Sequence, residues 1–522
     1  MLSILRDSGR REQGWGAGRD EPRRNRDKKR SVHTPQAPFD LQAAAAATMH
    51  AHGFDPEFGP EALAQLAALA AHPPSVQPGA GVRDLRGLPW SSIDNDTSRD
   101  LDQLEVAELL PDKATKVQVA IADVDAFVPK DSAIDEHAAN ATTTIYTGVR
   151  NFPMLPEALS THATSLLEQQ DNLSVVIEFV VSPDGVVRSS DIYRAVVRNT
   201  AQLTYDGVGA WLEGTGGAPA KVAASSVIQS QLRLQDACAQ ALRGARYRHG
   251  ALNIETIETR PVVLQGEVVD VVRQEKNRAT ELIEDFMIAA NEVVARMLEA
   301  RRVSSIRRVV KSPQRWDRIV ALADGLGGHL PAAPDSKALN EFLIARRAAD
   351  PDRFADLSLA VIKLMGPGEY VLERSGDPSL GHFGLAVEDY THSTAPNRRF
   401  TDLVTQRLIK AVLAGLPSPY TDEALAAIAG NCTLKENASR KVEREMSKRI
   451  AAVAMSGRIG EVFDAVVTGV TPRGTFVRVL KPRVEGLLAR GSQGVDVGDK
   501  LRVALVSTDV RQGYIDFART AA

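Results

Sequence analysis

The stretch SSIDNDTSRDLDQLEVAE, residues 91–108, carries Asp94, Asp96, Asp100, Asp102 and Glu105 within twelve positions. Like charges this close repel by roughly 4 kcal/mol per pair at ~4 Å and an effective dielectric of ~20. Either the side chains splay into water or a cation offsets the repulsion. A calcium loop, a solvated turn and a catalytic metal site are the three structures that would do so. Numbered from Asp94, positions 1, 3, 5, 7, 9 and 12 are Asp94, Asp96, Ser98, Asp100, Asp102 and Glu105, which is close to an EF-hand loop. Position 6, where that loop needs glycine for its sharp turn, is Arg99, and the flanks GLPW and a strand-like segment replace the two helices. Calcium is therefore disfavoured. The D-x-D spacing and the strand VQVAIAD, which ends at Asp123, suit magnesium, which takes few carboxylates and leaves positions for water and phosphate. The stretch alone leaves the solvated loop and the magnesium site both open.

The rest of the chain narrows the class. At 522 residues it is too long for a single core, and 43% hydrophobic with 25% charged residues describes an ordinary globular protein. No apolar run approaches the ~20 residues a membrane span needs. The N-terminal MLSILRDSGRREQG lacks an apolar signal core, and two cysteines make neither a metal pair nor a disulfide framework. A cytoplasmic, monomeric protein without membrane contact or nucleotide cofactor is expected. A net charge of −3 argues against blanket affinity for nucleic acid but permits a local basic channel.

Four segments follow from composition and periodicity. Residues 1–36, with the basic run PRRNRDKKR at 22–30, read as a solvated tail without apolar periodicity. Residues 37–82 read as two Ala-rich helices around a Gly-Phe-Asp-Pro turn, a small module compatible with a helix-turn-helix. Residues 83–455 mix strands (117–124; a hairpin in 173–187 turning at Pro-Asp-Gly) with helices at 279–300, 400–415 and 434–455. Residues 456–522 alternate short strands with Gly, Pro and Asp punctuation, the pattern of a small β-barrel. The fold class is α+β and multidomain.

Some three hundred residues after the acids comes GHFGLAVEDYTHSTAPNRRFTDLVTQR, 381–407. Its adjacent Arg398 and Arg399 precede a helix, and a guanidinium fork suits a pair of phosphate oxygens. Acids and arginines together point to phosphodiester chemistry. SIDNDTSRDLDQ and HSTAPNRRFTDLVTQR resemble the two signature segments of the ribonuclease II / ribonuclease R family, the RNB-domain exoribonucleases, and TIYTGVRNFPMLPEALS (144–160), TELIEDFMIAAN (280–291) and GHFGLA (381–386) occur in family order. The resemblance covers about 83–455. It implies processive digestion of single-stranded RNA from the 3′ end to nucleoside 5′-monophosphates, with Mg²⁺ (Mn²⁺ as substitute).

Carried over by position, the resemblance makes Asp94, Asp100, Asp102 and Gln103 metal-site residues, and Asp102 and Arg398 catalytic. It makes Glu443 the acid that orients Arg398, Tyr146 the aromatic against the RNA 3′ end, and Arg399 a substrate contact. Gln103 stands where the family has a fourth aspartate, so one metal position loses its charge. Ile254 stands where relatives often place a stacking Phe, and Ser393, Ala395 and Asn397 replace more usual residues. About 80 residues precede the large domain, too few for the two cold-shock barrels of relatives. Asp96 and Glu105 lie outside the family positions and are expected to face solvent or neighbouring backbone; His382 and His392 are expected to be structural. The C-terminal segment resembles an OB-fold RNA-binding domain, with Phe463 and Phe476 as stacking candidates near Arg473, Arg478, Lys481 and Arg483, and RRVSSIRRVVK (301–311) reads equally as a channel lining or as a solubilising surface run. Gln103 also leaves room for a non-catalytic RNA-binding protein on the same fold.

Overall fold

The computed structural model describes residues 39–255, 258–264, 267–274 and 276–520, so the basic tail at 1–36 lies outside the described residues. Two helices come first: α1 (Leu41–Ala51), capped by Asp40, whose carboxylate accepts from Gln42 N and Ala43 N, and α2 (Pro60–Ala71), with Pro at its first turn.

Seven strands form one mixed sheet: β1 (Val82–Asp84), β2 (Ser91–Asp94), β3 (Gln103–Leu109), β4 (Thr115–Ala122), β7 (Asp171–Val181), β8 (Val187–Arg198) and β9 (Ala201–Thr204), in the order β1-β8-β7-β4-β3-β2-β9. The centre is antiparallel; β1 lies parallel to β8 and β9 parallel to β2. Strands β4 and β7 are buried along nearly their whole length, which is why they read as apolar runs and not as alternation. The β7–β8 turn needs Gly185: its φ is +86°, and a Cβ there would lie 1.9 Å from the Ala241 carbonyl oxygen.

Between β4 and β7 come α3 (Ala133–Ala141) and a hairpin of two-residue strands, β5 (Ile145–Tyr146) and β6 (Asn151–Phe152). The helix Arg278–Ala300 starts from an Asn277/Thr280 capping box and lies on the sheet, its Phe286 ring edge-on to Phe179 at 6.3 Å. Helix Phe400–Leu413 is buried for most of its length, and the 35-residue helix Asp422–Ser456 runs from the large domain to the C-terminal barrel. No helix among the described residues is long and apolar enough to cross a membrane.

The C-terminal strands Val462–Thr471, Gly474–Val479, Glu485–Arg490, Lys500–Asp509 and Tyr514–Arg519 close into a five-stranded barrel. The fold is thus mixed α/β, with a large sheet-centred domain and a barrel of the OB type. Phe463 is a correction: it is 6% exposed in the barrel core, edge-on to Phe517, because it falls on the inward register with Ala465 and Val467. Phe476 alternates with buried Thr475 and Val477 and is turned outward, half-buried. Phe463→Ala is therefore expected to lower the melting temperature of the barrel, while Phe476→Ala leaves it nearly unchanged. A thermal melt on both variants separates the two.

Within the run at 301–311, Arg301, Arg302 and Lys311 are exposed, while Arg307 and Arg308 are a second correction. Arg307 is 1% exposed and ion-paired with Glu373 at 2.8 Å, and Arg308 makes two hydrogen bonds to Glu436 while stacking over Tyr370. These side chains pin the strand Ser305–Val309 to its surroundings and do not line a channel.

Candidate active site

The acidic stretch becomes the end of β2, a loop, and the start of β3. The two strands pair at Ser91–Glu105, and the chain between Asp94 and Gln103 leaves the sheet as a loop. Asp94 holds that loop in shape, its Oδ1 accepting from Asn95 N at 2.7 Å and Ser98 Oγ at 2.7 Å. Asp96 is exposed.

Asp102 is the centre of the arrangement. It is 1% exposed, and its carboxylate accepts from Asn397 N at 3.1 Å through Oδ1 and from Arg398 Nε at 3.0 Å through Oδ2. Residues 295 positions apart in the chain meet here because the turn before helix Phe400–Leu413 is itself rigid. Ala395 N donates to Asp402 Oδ1 at 2.9 Å, and Arg398 N and Arg399 N both donate to the Ala395 carbonyl. Burial pushes the Asp102 pKa up to about 7, Arg398 opposing and Asp100 reinforcing the shift. Asp94 is likewise raised, first by burial, with Asp100 adding to it and Ser98, Asn95 and Arg398 opposing. Arg398 spends only Nε on Asp102; its side chain is 44% exposed, and its Nη atoms make no hydrogen bond among the described residues.

The β5–β6 hairpin closes one side. Thr144 N and Thr143 Oγ1 donate to the Arg398 carbonyl at 3.0 and 3.1 Å, and the Tyr146 hydroxyl donates to Asp100 Oδ2 at 3.0 Å. Tyr146 is 41% exposed, so an aromatic side chain stands beside the carboxylates. Asp94, Asp100, Asp102, Arg398 and Tyr146 are therefore brought together.

Three expectations change. Glu443 does not orient Arg398: its Oε1 lies 3.5 Å from Tyr146 N, and the acid that holds Arg398 is Asp102. Arg399 turns inward, its Nη2 donating to Asp402 Oδ1 at 2.7 Å, and so braces the turn that presents Arg398. Asp123, near in sequence pattern, is committed elsewhere, to Lys410 at 2.8 Å and Arg194 at 3.3 Å. Glu105, expected to face solvent or neighbouring backbone, is fully buried. Among the described residues neither of its oxygens has a hydrogen-bond partner, and the Oγ of Ser91 directly across the sheet has none either. Burial, and then Asp94, raise its pKa well above the usual carboxylate range.

Gln103 is 6% exposed on the same side of β3 as Glu105. His382 and His392 are structural, their rings packed with Tyr370 and Tyr390, and burial lowers both pKa values. Asn397 is the residue that sequence reasoning undervalued. Its backbone caps Asp102 and its side chain is held by Thr164; its place next to Arg398 was the available signal.

The oxygens on offer, from Asp94 and Asp100, are the hard donors that a small divalent cation takes. Among the described residues no three Asp, Glu, His or Cys side chains converge as a ready-made cage. A cation that keeps most of its shell as water and substrate phosphate is the kind this donor set fits.

Residues 82–415 match the RNB domain and residues 461–520 the C-terminal S1 domain of RNase II-type exonucleases. The chain belongs to the RNB-domain family. Ribonuclease R of Thermotoga maritima is 30% identical over 468 residues, an alignment covering 84% of this chain and 64% of that protein, so the chain spans less than two thirds of this relative's length. Mycoplasma genitalium RNase R, solved with ribose-methylated single-stranded RNA, superposes with a TM-score of 0.80 at 23% identity, covering 92% of this RNB chain and 78% of its own. Yeast Ssd1, described as a pseudonuclease, has the same fold at a TM-score of 0.64 and 15% identity, covering 87% and 56%. The RNB fold alone therefore does not decide turnover.

Proposed function

We propose that this RNB protein is a processive 3′→5′ exoribonuclease that hydrolyses single-stranded RNA to nucleoside 5′-monophosphates. The observation that carries this reading is the pairing of Arg398 with a buried Asp102 beside Asp94 and Asp100, which leaves two guanidinium nitrogens free for phosphate. A curated relative named as a ribonuclease and a structural neighbour solved with single-stranded RNA support the substrate class.

Asp94 and Asp100, with the Gln103 amide, would hold Mg²⁺ (or Mn²⁺), which when bound supplies positive charge to the scissile phosphate and lowers the pKa of the attacking water. Arg398 places its Nη donors on the non-bridging phosphate oxygens, where negative charge grows during transfer. Asp102 fixes the plane of that guanidinium through Nε and fixes the turn through Asn397 N, so the donors are set before substrate arrives. Tyr146 offers its exposed ring face to the terminal base. Phe476 gives the barrel a second stacking surface, so the shortened strand stays bound between cuts.

The second reading, a non-catalytic RNA-binding RNB protein, is favoured by Gln103 and by the pseudonuclease that shares the fold. One assay separates them. With 3′-end-labelled single-stranded RNA, the first reading expects labelled mononucleotide from the earliest time points in Mg²⁺ and none in a chelator. RNA retained without nucleotide release in either Mg²⁺ or Mn²⁺ establishes the second. Release of internal fragments first would overturn both.

A further inference from the structure

The two strands that carry Tyr146 are too short to hold themselves. β5 and β6 pair through two residue pairs only, Ile145–Phe152 and Tyr146–Asn151, and an isolated hairpin of this kind has no independent stability in water. Thr143 and Thr144 tie its base to the Arg398 carbonyl, and the rest of its position comes from what it is packed between. Ile145 and Phe152 are buried in a small apolar cluster with Met49 and Phe54 from the N-terminal segment and Val442 and Met446 from helix Asp422–Ser456. This cluster is separate from the main core under the sheet. The functional side chains are the immediate neighbours of the buried ones: Tyr146 follows Ile145, and Glu443, which lies against Tyr146 N, follows Val442.

Polar ties hold the same three elements together. The His52 ring lies 2.9 Å from Glu445 Oε1, Lys435 Nζ donates to the Gly53 carbonyl at 2.7 Å, and the Arg449 guanidinium reaches Thr48. On the hairpin side, Arg150 donates to Glu57 at 3.1 Å while lying over the Phe152 ring. The second helix is anchored elsewhere: the N–H of Ile134 in α3 donates to Gln65 Oε1 at 2.8 Å. The segment from α1 to Glu57 thus forms one wall of the hairpin's seat, and α2 does not.

We propose that this N-terminal segment, residues 40–57, is the positioning element for Tyr146, and that it sets how far a shortening RNA strand is digested. The inference rests on the exoribonuclease reading. A long strand is held along the large domain and by the barrel, so a displaced stacking ring costs it little. A strand of a few nucleotides has few other holds, and loss of one base–aromatic stack lowers its binding by about 10-fold or more. Met49 and Arg150 touch neither the carboxylates nor Arg398, so they act only through where the hairpin stands.

The test compares Met49→Ala and Arg150→Ala with Gln65→Ala. Arg150 is an exposed side chain whose loss leaves the apolar cluster intact, so it reports even where Met49→Ala folds poorly. On 5′-labelled RNA, both hairpin variants are expected to stop at a longer limit product and to cut short oligonucleotides about 10-fold more slowly in kcat/KM, with long RNA within about 2-fold of wild type. Gln65→Ala should match wild type in both. Equal slowing on long and short RNA, or an unchanged limit product in both hairpin variants, overturns the proposal. Amide hydrogen exchange across residues 143–152 reads the positioning without any RNA: faster exchange in Met49→Ala is expected, and unchanged protection overturns the proposal. Absence of 3′ mononucleotide release by the wild type, by contrast, refutes the exoribonuclease reading and leaves the exchange result to decide the positioning.

Discussion

Asp102→Asn is expected to slow RNA hydrolysis by about 10²–10³-fold, in kcat more than in KM. The amide keeps the shape of the carboxylate but has one acceptor oxygen in place of two. Two donors, Asn397 N and Arg398 Nε, converge on that group, so one of them must face the new NH₂. If Asn397 keeps its bond, Arg398 loses its fixed plane; if Arg398 keeps its bond, the turn that presents it shifts. The negative charge that holds the half-exposed Arg398 guanidinium disappears in either case. Arg398→Lys is expected to fall in the same range, because an ammonium cannot hold Asp102 through one nitrogen and present two more to phosphate. Single-turnover rates on end-labelled RNA check both variants. If either digests RNA at the wild-type rate, the Asp102–Arg398 pair has no place in the chemistry.

The second large effect concerns Glu105. Its carboxyl is fully buried without a hydrogen-bond partner among the described residues, and burial together with Asp94 raises its pKa well above the usual range. An acid with a raised folded pKa disfavours the folded state as pH rises. The cost is absent below the unfolded pKa of ~4.3 and grows by about 1.4 kcal/mol per pH unit until the folded pKa is reached. Glu105→Gln removes the titration and keeps a neutral polar group of the same size. The variant should match wild type near pH 4 and exceed it by at least about 1 kcal/mol at pH 7. Denaturant unfolding of both proteins across that range, without divalent ions, measures the gap. Parallel stability curves would show that Glu105 finds a partner in solution.

The residues of the candidate site stand out in the sequence through resemblance: the family's two signature segments set Asp94, Asp100 and Asp102 apart from Asp96, and Arg398 apart from Arg399. The helices at 279–300 and 400–415 and the barrel pattern were legible too, since helical periodicity and turn residues are local properties. The errors share one cause. Residue type misplaces Glu105, Phe463 and Arg307, because each is buried by the side of a strand it falls on and by what lies across from it. The motif around Glu443 pairs it with Arg398, whereas Tyr146 is its neighbour.

The chemistry of this RNB protein is thus written in short runs of residues: which carboxylates exist, which arginine can meet phosphate, and that Gln103 lacks a charge. Their assembly is not. That Asp102 clamps Arg398 depends on a turn 295 residues away, braced by Arg399 and Asp402. That Tyr146 stands beside Asp100 depends on a two-residue hairpin seated between α1 and the long helix. Local sequence sets local propensity. Burial and charge compensation are properties of pairs, and the partners here are supplied by segments that become neighbours only when the sheet, the helices and the N-terminal segment close on one another.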